Sequence, residues 1–201
     1  MLTIHTAEQS PGTSVLVDGG AVSAVGPYEE LAAAHPDAKV RRWPGILTPG
    51  LLNPYGPELL EATYHPDPRE ADAFGTEPIG GERALRIFRA DPARLGASAR
   101  RGIQRMLAHG TVAVAGELRA RPVVDAVRRA GLAVGRRPDR LPGPAALSPS
   151  PLILLPAPAP APGGPARFAV FDVADRAELV RRGAGTCVAT VIGGRLVYRG
   201  R

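Results

Sequence analysis

The sequence predicts an α/β protein, with short strands gathered at both ends of the chain and strand alternating with helix in the middle. Three features carry the prediction. Residues 14–25 and 186–199 are apolar stretches broken at Gly19-Gly20 and Gly193-Gly194, pairs that supply the positive φ of hairpin turns. Residues 93–135 switch to helical spacing, interrupted by the apolar run TVAVA. A PAPAPAP run then favours stiff polyproline II and cannot supply ladder hydrogen bonds, so it separates the middle from the end.

Leu2 to His5 reads as a first strand. Ser14 to Val17 and Ala21 to Val25 follow, joined by the turn Asp18-Gly19-Gly20. Gly26-Pro27 opens a helix over Tyr28 to Ala34, with Glu29 and Glu30 near its positive end and His35-Pro36 as its stop. Val40 to Trp43 and Ile46-Leu47 return to extended chain. Residues 49–82 are rich in proline, glycine and acid, with a helical turn expected at Glu58 to Ala62. The segment HPDPREADAFGTEPIGG has no clean period and reads as an ordered loop or an excursion over a surface.

Leu95, Ala99, Ile103, Met106 and Leu107 fall on one helix face, with Arg100, Arg101 and Arg105 facing elsewhere and Gly110 as the stop. Thr111 to Ala115 reads as a small buried strand. Pro122 starts a second helix, ended by Gly131, and Leu132 to Val134 is a third short strand. Residues 136–165 read as a spacer. Phe168 to Val173, a helix capped by Asp175 and running to Arg182, and the hairpin Thr186 to Ile192 with Arg195 to Arg199 complete the chain.

Composition narrows the class. Hydrophobic residues are 44 % but aromatics only 4 %, so the core must be mostly Val, Leu and Ala. The single cysteine, Cys187, excludes an internal disulfide and a cysteine zinc site and fits a reducing cytoplasm. No segment approaches the ~18 apolar residues of a membrane span, since the run Leu152 to Leu155 is short and flanked by prolines. The N-terminus lacks a signal-peptide pattern, so the expected location is cytoplasmic. Residues 1–82 carry 4 basic and 12 acidic side chains, whereas 83–140 carry 14 and 4. Every basic residue except Lys39 is arginine, which together with abundant Ala, Gly and Pro points to a GC-rich bacterium.

The segments VLVDGGAVSAVGPYEEL and TPGLLNP resemble the opening of the amidohydrolase superfamily, of the imidazolonepropionase and aminodeoxyfutalosine deaminase type. In that family a small strand-rich domain precedes entry into an (α/β) barrel through P-G-[LFI]-[IV]-[DN]. FAVFDV and TCVATVIGGRLVYRGR resemble its closing strands, and RRGIQRMLAHGTVAVAG resembles its helix and second barrel strand. The resemblance implies a small β-sandwich built from both chain ends, residues 1–48 and 166–201. A truncated α/β-barrel remnant, 49–135, is inserted between them, and 136–165 is a Pro/Ala-rich linker. A full barrel takes about 250 residues; residues 49–165 offer fewer than half as many.

The resemblance also says where chemistry should sit. The family's first barrel strand ends in two metal-binding histidines, and those positions fall on Tyr55 and Pro57. Proline has no side-chain donor atom, and neutral tyrosine is a poor zinc ligand. No cofactor or metal is therefore expected. Asn53 and Tyr55 are candidates to hold a small ligand at the barrel mouth. His65 and Asp67, with Glu70 and Asp72 beyond them, form the richest cluster of hard-metal donors, against the alternative of a solvated acidic loop. His5 and His35 read as a strand residue and a helix terminus, and His109 as a cation at a helix end. No G-x-S-x-G, Walker loop or Rossmann fingerprint occurs. The basic stretch Arg83 to Arg140 lacks the interleaved aromatics of a single-strand binder, since Phe88 stands alone. Charge pairing within the protein or simple solvation is expected there instead of nucleic acid.

Two functions remain open on the sequence. One is a non-catalytic relative with a binding or scaffold role, acting as a homodimer or beside a pathway protein. The other is a divergent hydrolase acting on non-peptide C–N bonds through the acidic loop or a partner's residues.

Overall fold

The computed structural model describes residues 1–141, 143–147 and 159–200. The run Leu152 to Leu155 and much of the expected spacer lie outside the described residues. The chain opens with β1 (Leu2–Ala7), β2 (Ser14–Asp18), β3 (Ala21–Gly26), α1 (Tyr28–Ala34), β4 (Lys39–Trp43), β5 (Ile46–Thr48) and β6 (Leu51–Asn53). It continues through α2 (Gly56–Leu60), α3 (Ala71–Phe74), α4 (Gly81–Ala90), α5 (Arg94–Leu107), β7 (Thr111–Ala115), α6 (Arg121–Ala130) and β8 (Ala133–Gly135). It closes with β9 (Arg167–Phe171), α7 (Arg176–Arg182), β10 (Cys187–Ile192) and β11 (Arg195–Arg199). The chain is thus a mixed α/β protein.

Its strands form three sheets, ordered β3-β2-β1-β4, β11-β10-β9-β5 and β6-β7-β8. In the first, α1 carries the chain from β3 to β4, which runs parallel to β1. The second is antiparallel and joins residue 46 of the N-terminal part to Phe171 near the other end. The third is parallel throughout. Alternation decides which faces are buried. Val15, Val17 and Val22 of the first sheet share one buried cluster with Ala166, Phe168 and Val191, and Ala7 and Trp43 share another with Val170 and Ala189. The two antiparallel hairpin tips touch. A Cβ on Gly194, where φ is +70°, would overlap the carbonyl oxygen of Gly19.

The parallel sheet has a different support. Every residue of β7 is buried, as expected for a strand covered on both faces. Ile103, Met106 and Leu107 of α5 and Val123, Ala126 and Val127 of α6 pack with Val112 and Val114 in one core. Ile192 joins that core, and Thr190 Oγ1 donates to the Leu107 carbonyl at 2.7 Å, tying the second sheet to α5. Gly131 ends α6 in the left-handed region, and its carbonyl accepts from Arg167 Nε at 3.0 Å. Beyond β7, β8 has no partner strand among the described residues, and Val134 is 62 % exposed.

Of the two readings offered for the segment from His65 to Gly81, an ordered loop and a surface excursion, the structure shows the ordered loop. Tyr64 and Ile79 exchange two backbone hydrogen bonds of 2.8 Å and close it into a loop containing α3. Its first residue, His65, is fully buried. The helix α4 was not anticipated. Its apolar stripe is short, with Ala84 buried and Ile87 and Phe88 half-buried beside Tyr64 and Ile79, and the sequence reading passed over it.

Candidate functional site

The carboxyl ends of parallel strands are where α/β folds present their reactive loops. In this chain they are Asn53, Ala115 and Gly135. Asn53 is buried. Its Oδ1 accepts from Tyr55 N at 3.0 Å, an Asx-type contact that turns the chain out of β6, and its Nδ2 donates to the Ala146 carbonyl at 3.0 Å. Tyr55 is also buried, and its hydroxyl donates to the Gly143 carbonyl at 2.6 Å. Pro57 packs on Gly116, where φ is +109° and a Cβ would stand 2.6 Å from Pro57 Cδ. Glu58 is ion-paired with Arg137, leaving its other oxygen buried without a partner. Glu61 accepts from the backbone N–H of both Arg119 and Ala120 at 2.7 Å and so secures the loop before α6.

The mouth is therefore covered by the chain that follows β8. Leu141 and Leu147 pack on the core beneath it, and both candidate polar side chains are used on carbonyls of the covering segment. Burial, then the Glu58 carboxylate, raises the Tyr55 pKa, so the phenol stays protonated and acts as a donor. A metal at the two family positions does not fit this donor set. Proline offers nothing, and the tyrosine hydroxyl is already committed. Among the described residues no group of three or more His, Cys, Asp or Glu side chains is placed to hold a metal ion.

His65 and Asp67 lie elsewhere. None of their contacts reaches Asn53 or Tyr55. His65 sits between α2 and α5, with its backbone N–H donating to Ser98 Oγ at 2.9 Å and its carbonyl accepting from Arg101 Nε at 2.7 Å. Its Nε2 lies 2.8 Å from the Leu59 carbonyl. A carbonyl can only accept, so Nε2 carries the proton and the buried Nδ1 is left without a partner. Burial holds its pKa below the usual histidine value. Asp67 accepts from Arg69 N at 3.0 Å and pairs with Arg101 at 3.3 Å.

The carboxylates of this region face arginines. Arg94 Nη1 donates to Glu70 Oε1 at 2.6 Å and to Tyr64 Oη at 2.9 Å, while its Nε donates to Asp91 Oδ2 at 3.2 Å. Tyr64 in turn donates to Glu70 Oε2 at 2.6 Å. The Tyr64 hydrogen bond, with that of Arg94, holds Glu70 below the ordinary glutamate range, and burial raises Tyr64. The cleft here, about 480 Å³, is lined by Arg69, Arg94 and Arg101 and by Asp67, Glu70 and Asp91, so its formal charges balance. Sequence inspection singled out Asp67, and Glu58 upstream of it, but missed Arg94, whose partner Glu70 is 24 residues away.

The remaining histidines are structural. His5 is buried between the first two sheets, where Nδ1 accepts from Trp43 Nε1 at 3.3 Å and burial, then Arg41, lowers its pKa to about 4. His109 Nδ1 lies 2.8 Å from the Arg105 carbonyl and satisfies one of the free carbonyls at the end of α5. No helix among the described residues is long and apolar enough to cross a membrane.

Comparison with known proteins gives the following. Guanine deaminase from Bradyrhizobium japonicum is similar at 19 % identity and TM-score 0.40, over 60 % of this chain and 27 % of that one. Ochratoxinase from A. niger is similar at 15 % and 0.44, over 68 % and 30 %. N-isopropylammelide isopropylaminohydrolase from Burkholderia multivorans is similar at 18 % and 0.43, over 67 % and 36 %. The chain thus spans about a third of the length of these structures. No curated protein matches it. Residues 15–38, which run from β2 through α1, match the family described as imidazolonepropionase-like composite domain, bacteria. Over that segment, 24 of the 201 residues, the chain is similar to an imidazolonepropionase-like composite domain.

Proposed function

We propose that this chain is a binding or scaffold protein derived from the amidohydrolase pattern, which does not hydrolyse substrates through the family's metal site. In this reading the two facing sheets, residues 1–48 and 166–201, are the composite β-sandwich. Residues 49–135 are a shortened remnant of the barrel, and 136–165 join the two. A second copy or a pathway protein is the expected partner.

One observation carries the reading: the closure of the parallel sheet's carboxyl end. Tyr55 and Asn53 hydrogen-bond carbonyls of the covering segment, and Pro57 brings no donor atom. A hydrolytic site needs an open coordination position and a base to manage the water proton. Here those positions are filled by side chains satisfied within the protein.

The test loads the purified chain separately with zinc, manganese and ferrous iron, dialyses it, and counts retained metal. In parallel, ring opening of a panel of cyclic amides is followed by chromatography, and ammonia release is measured from aminated purines. Substoichiometric metal and neither reaction above the protein-free control are expected. Stoichiometric metal together with either reaction would overturn the reading.

A further inference from the structure

Two clefts adjoin at Arg94 and Asp91, and they differ in charge. In the cleft described above three arginines face three carboxylates, with Asp67 bonded to Arg101 and both Glu70 and Asp91 bonded to Arg94. The other, about 370 Å³, lies between α3 and α4 and is lined by Phe74, Arg83, Arg86, Ile87, Asp91 and Arg94 among others. It holds three arginines against one aspartate. Asp91 already bonds Arg94 Nε and the N–H of Ala93. Arg83 and Arg86 have no ion-pair or hydrogen-bond partner among the described residues. They stand three apart on α4 and therefore share a face.

Beside the Arg94–Asp91 pair, the rest of the cleft is apolar. The Phe74 ring meets Tyr64 edge-on at 5.5 Å between centroids, and the Arg94 guanidinium lies 5.6 Å from the Phe74 centroid. Three oxygens pin Arg94, so it forms a fixed wall. Ile87 supplies further apolar surface. Two uncompensated guanidiniums above an aromatic and aliphatic floor match a particular ligand chemistry. Guanidinium pairs bind carboxylate or phosphate oxygens in forked geometry, and the floor accepts a flat apolar body.

From this charge contrast we infer that the α3–α4 cleft binds a small organic dianion with a planar apolar body, with Arg83 and Arg86 taking the charge. The site is separate from the closed mouth, and its occupancy is read by binding alone. Failure here leaves the metal and ammonia measurements untouched.

The test titrates the full chain with phenyl phosphate at low salt, by calorimetry or by protein NMR shifts. Saturable binding is expected. It should weaken at least tenfold in Arg83→Ala/Arg86→Ala and several-fold in 0.5 M sodium chloride. Inorganic phosphate, lacking the ring, should bind several-fold more weakly. Both arginines are exposed, so the double variant should keep its circular dichroism spectrum. Arg128→Ala/Arg129→Ala removes the same charge from the exposed face of α6 and should leave the affinity within twofold. The inference is overturned if phenyl phosphate does not bind, if Arg83→Ala/Arg86→Ala binds it unchanged, or if the α6 variant weakens it equally.

Discussion

Gly102 on α5 makes room for the imidazole of His65: a Cβ there would stand 2.6 Å from Nε2 and 3.1 Å from Leu60 Cδ2. The contact sets how closely α2 and α5 approach. Alanine would gain about 1 kcal/mol of helix propensity, but the overlap costs typically 1–3 kcal/mol in a packed interior. The ring cannot retreat, because its Nε2–H is fixed on the Leu59 carbonyl. Gly102→Ala should therefore lower stability by up to about 2 kcal/mol net in urea unfolding. An unchanged or raised midpoint would show that the ring has space to move.

Acid should loosen the protein through two buried neutral histidines. The folded-state pKa of His5 is about 4 against 6.5 for a free histidine, and that of His65 is also lowered. The unfolded chain therefore binds more protons than the folded one between these values. Stability is complete above pH 6.5 and is lost as pH falls toward 4, by about 3 kcal/mol for His5. Urea midpoints at pH 7.5 and 4.5 measure the loss. His5→Gln should reduce the pH dependence, and equal wild-type midpoints at the two pH values would contradict neutral burial.

Tyr55→Phe removes the hydroxyl that holds the Gly143 carbonyl. Loss of one such bond costs about 1–2 kcal/mol. The change should also free the segment that covers the mouth, which contains Arg136, Arg137 and Arg140. Limited trypsin digestion should cut there several-fold faster than in wild type while the rest of the chain resists. Equal cutting rates would mean that the hydroxyl does not fasten the cover.

Cys187 is buried, and desolvation pushes its thiol up to about 11. The thiolate is the reactive form. At pH 8 the native protein should react with a disulfide reagent far more slowly than the urea-unfolded chain, by at least two orders of magnitude. Comparable rates in the two states would place the thiol at the surface.

Much of the fold was legible because its signals are local. The helix over Tyr28 to Ala34 has a proline before it and acids in its first turn, and it forms over that span. The helix capped by Asp175 ends at Arg182 as expected, with the Asp175 carboxylate accepting from Glu178 N at 2.7 Å. The hairpin around Gly193-Gly194 and the αL stop at Gly131 follow from glycine's freedom alone. What stayed hidden depends on distant partners. Nothing near residue 94 announces that its guanidinium will join Glu70, Tyr64 and Asp91. The burial of His65 follows from a glycine 37 positions later, inside a segment with no periodic pattern. The covering of Asn53 and Tyr55 comes from carbonyls at 143 and 146, in a stretch whose composition advertised only a spacer.

The overlap that glycine avoids between the Gly19 and Gly194 turns has a consequence for biogenesis. The first hairpin leaves the ribosome early, yet the surface that covers its valines is made from residues 166–191. β5 must likewise wait for β9, as Thr48 Oγ1 and the Ala169 carbonyl are 121 residues apart. Throughout translation, then, the nascent N-terminal sheet presents a sticky valine-rich face with nothing to close on. That face closes only once residues 166–191 have emerged, and a chain halted before residue 166 is suited to chaperone capture or aggregation.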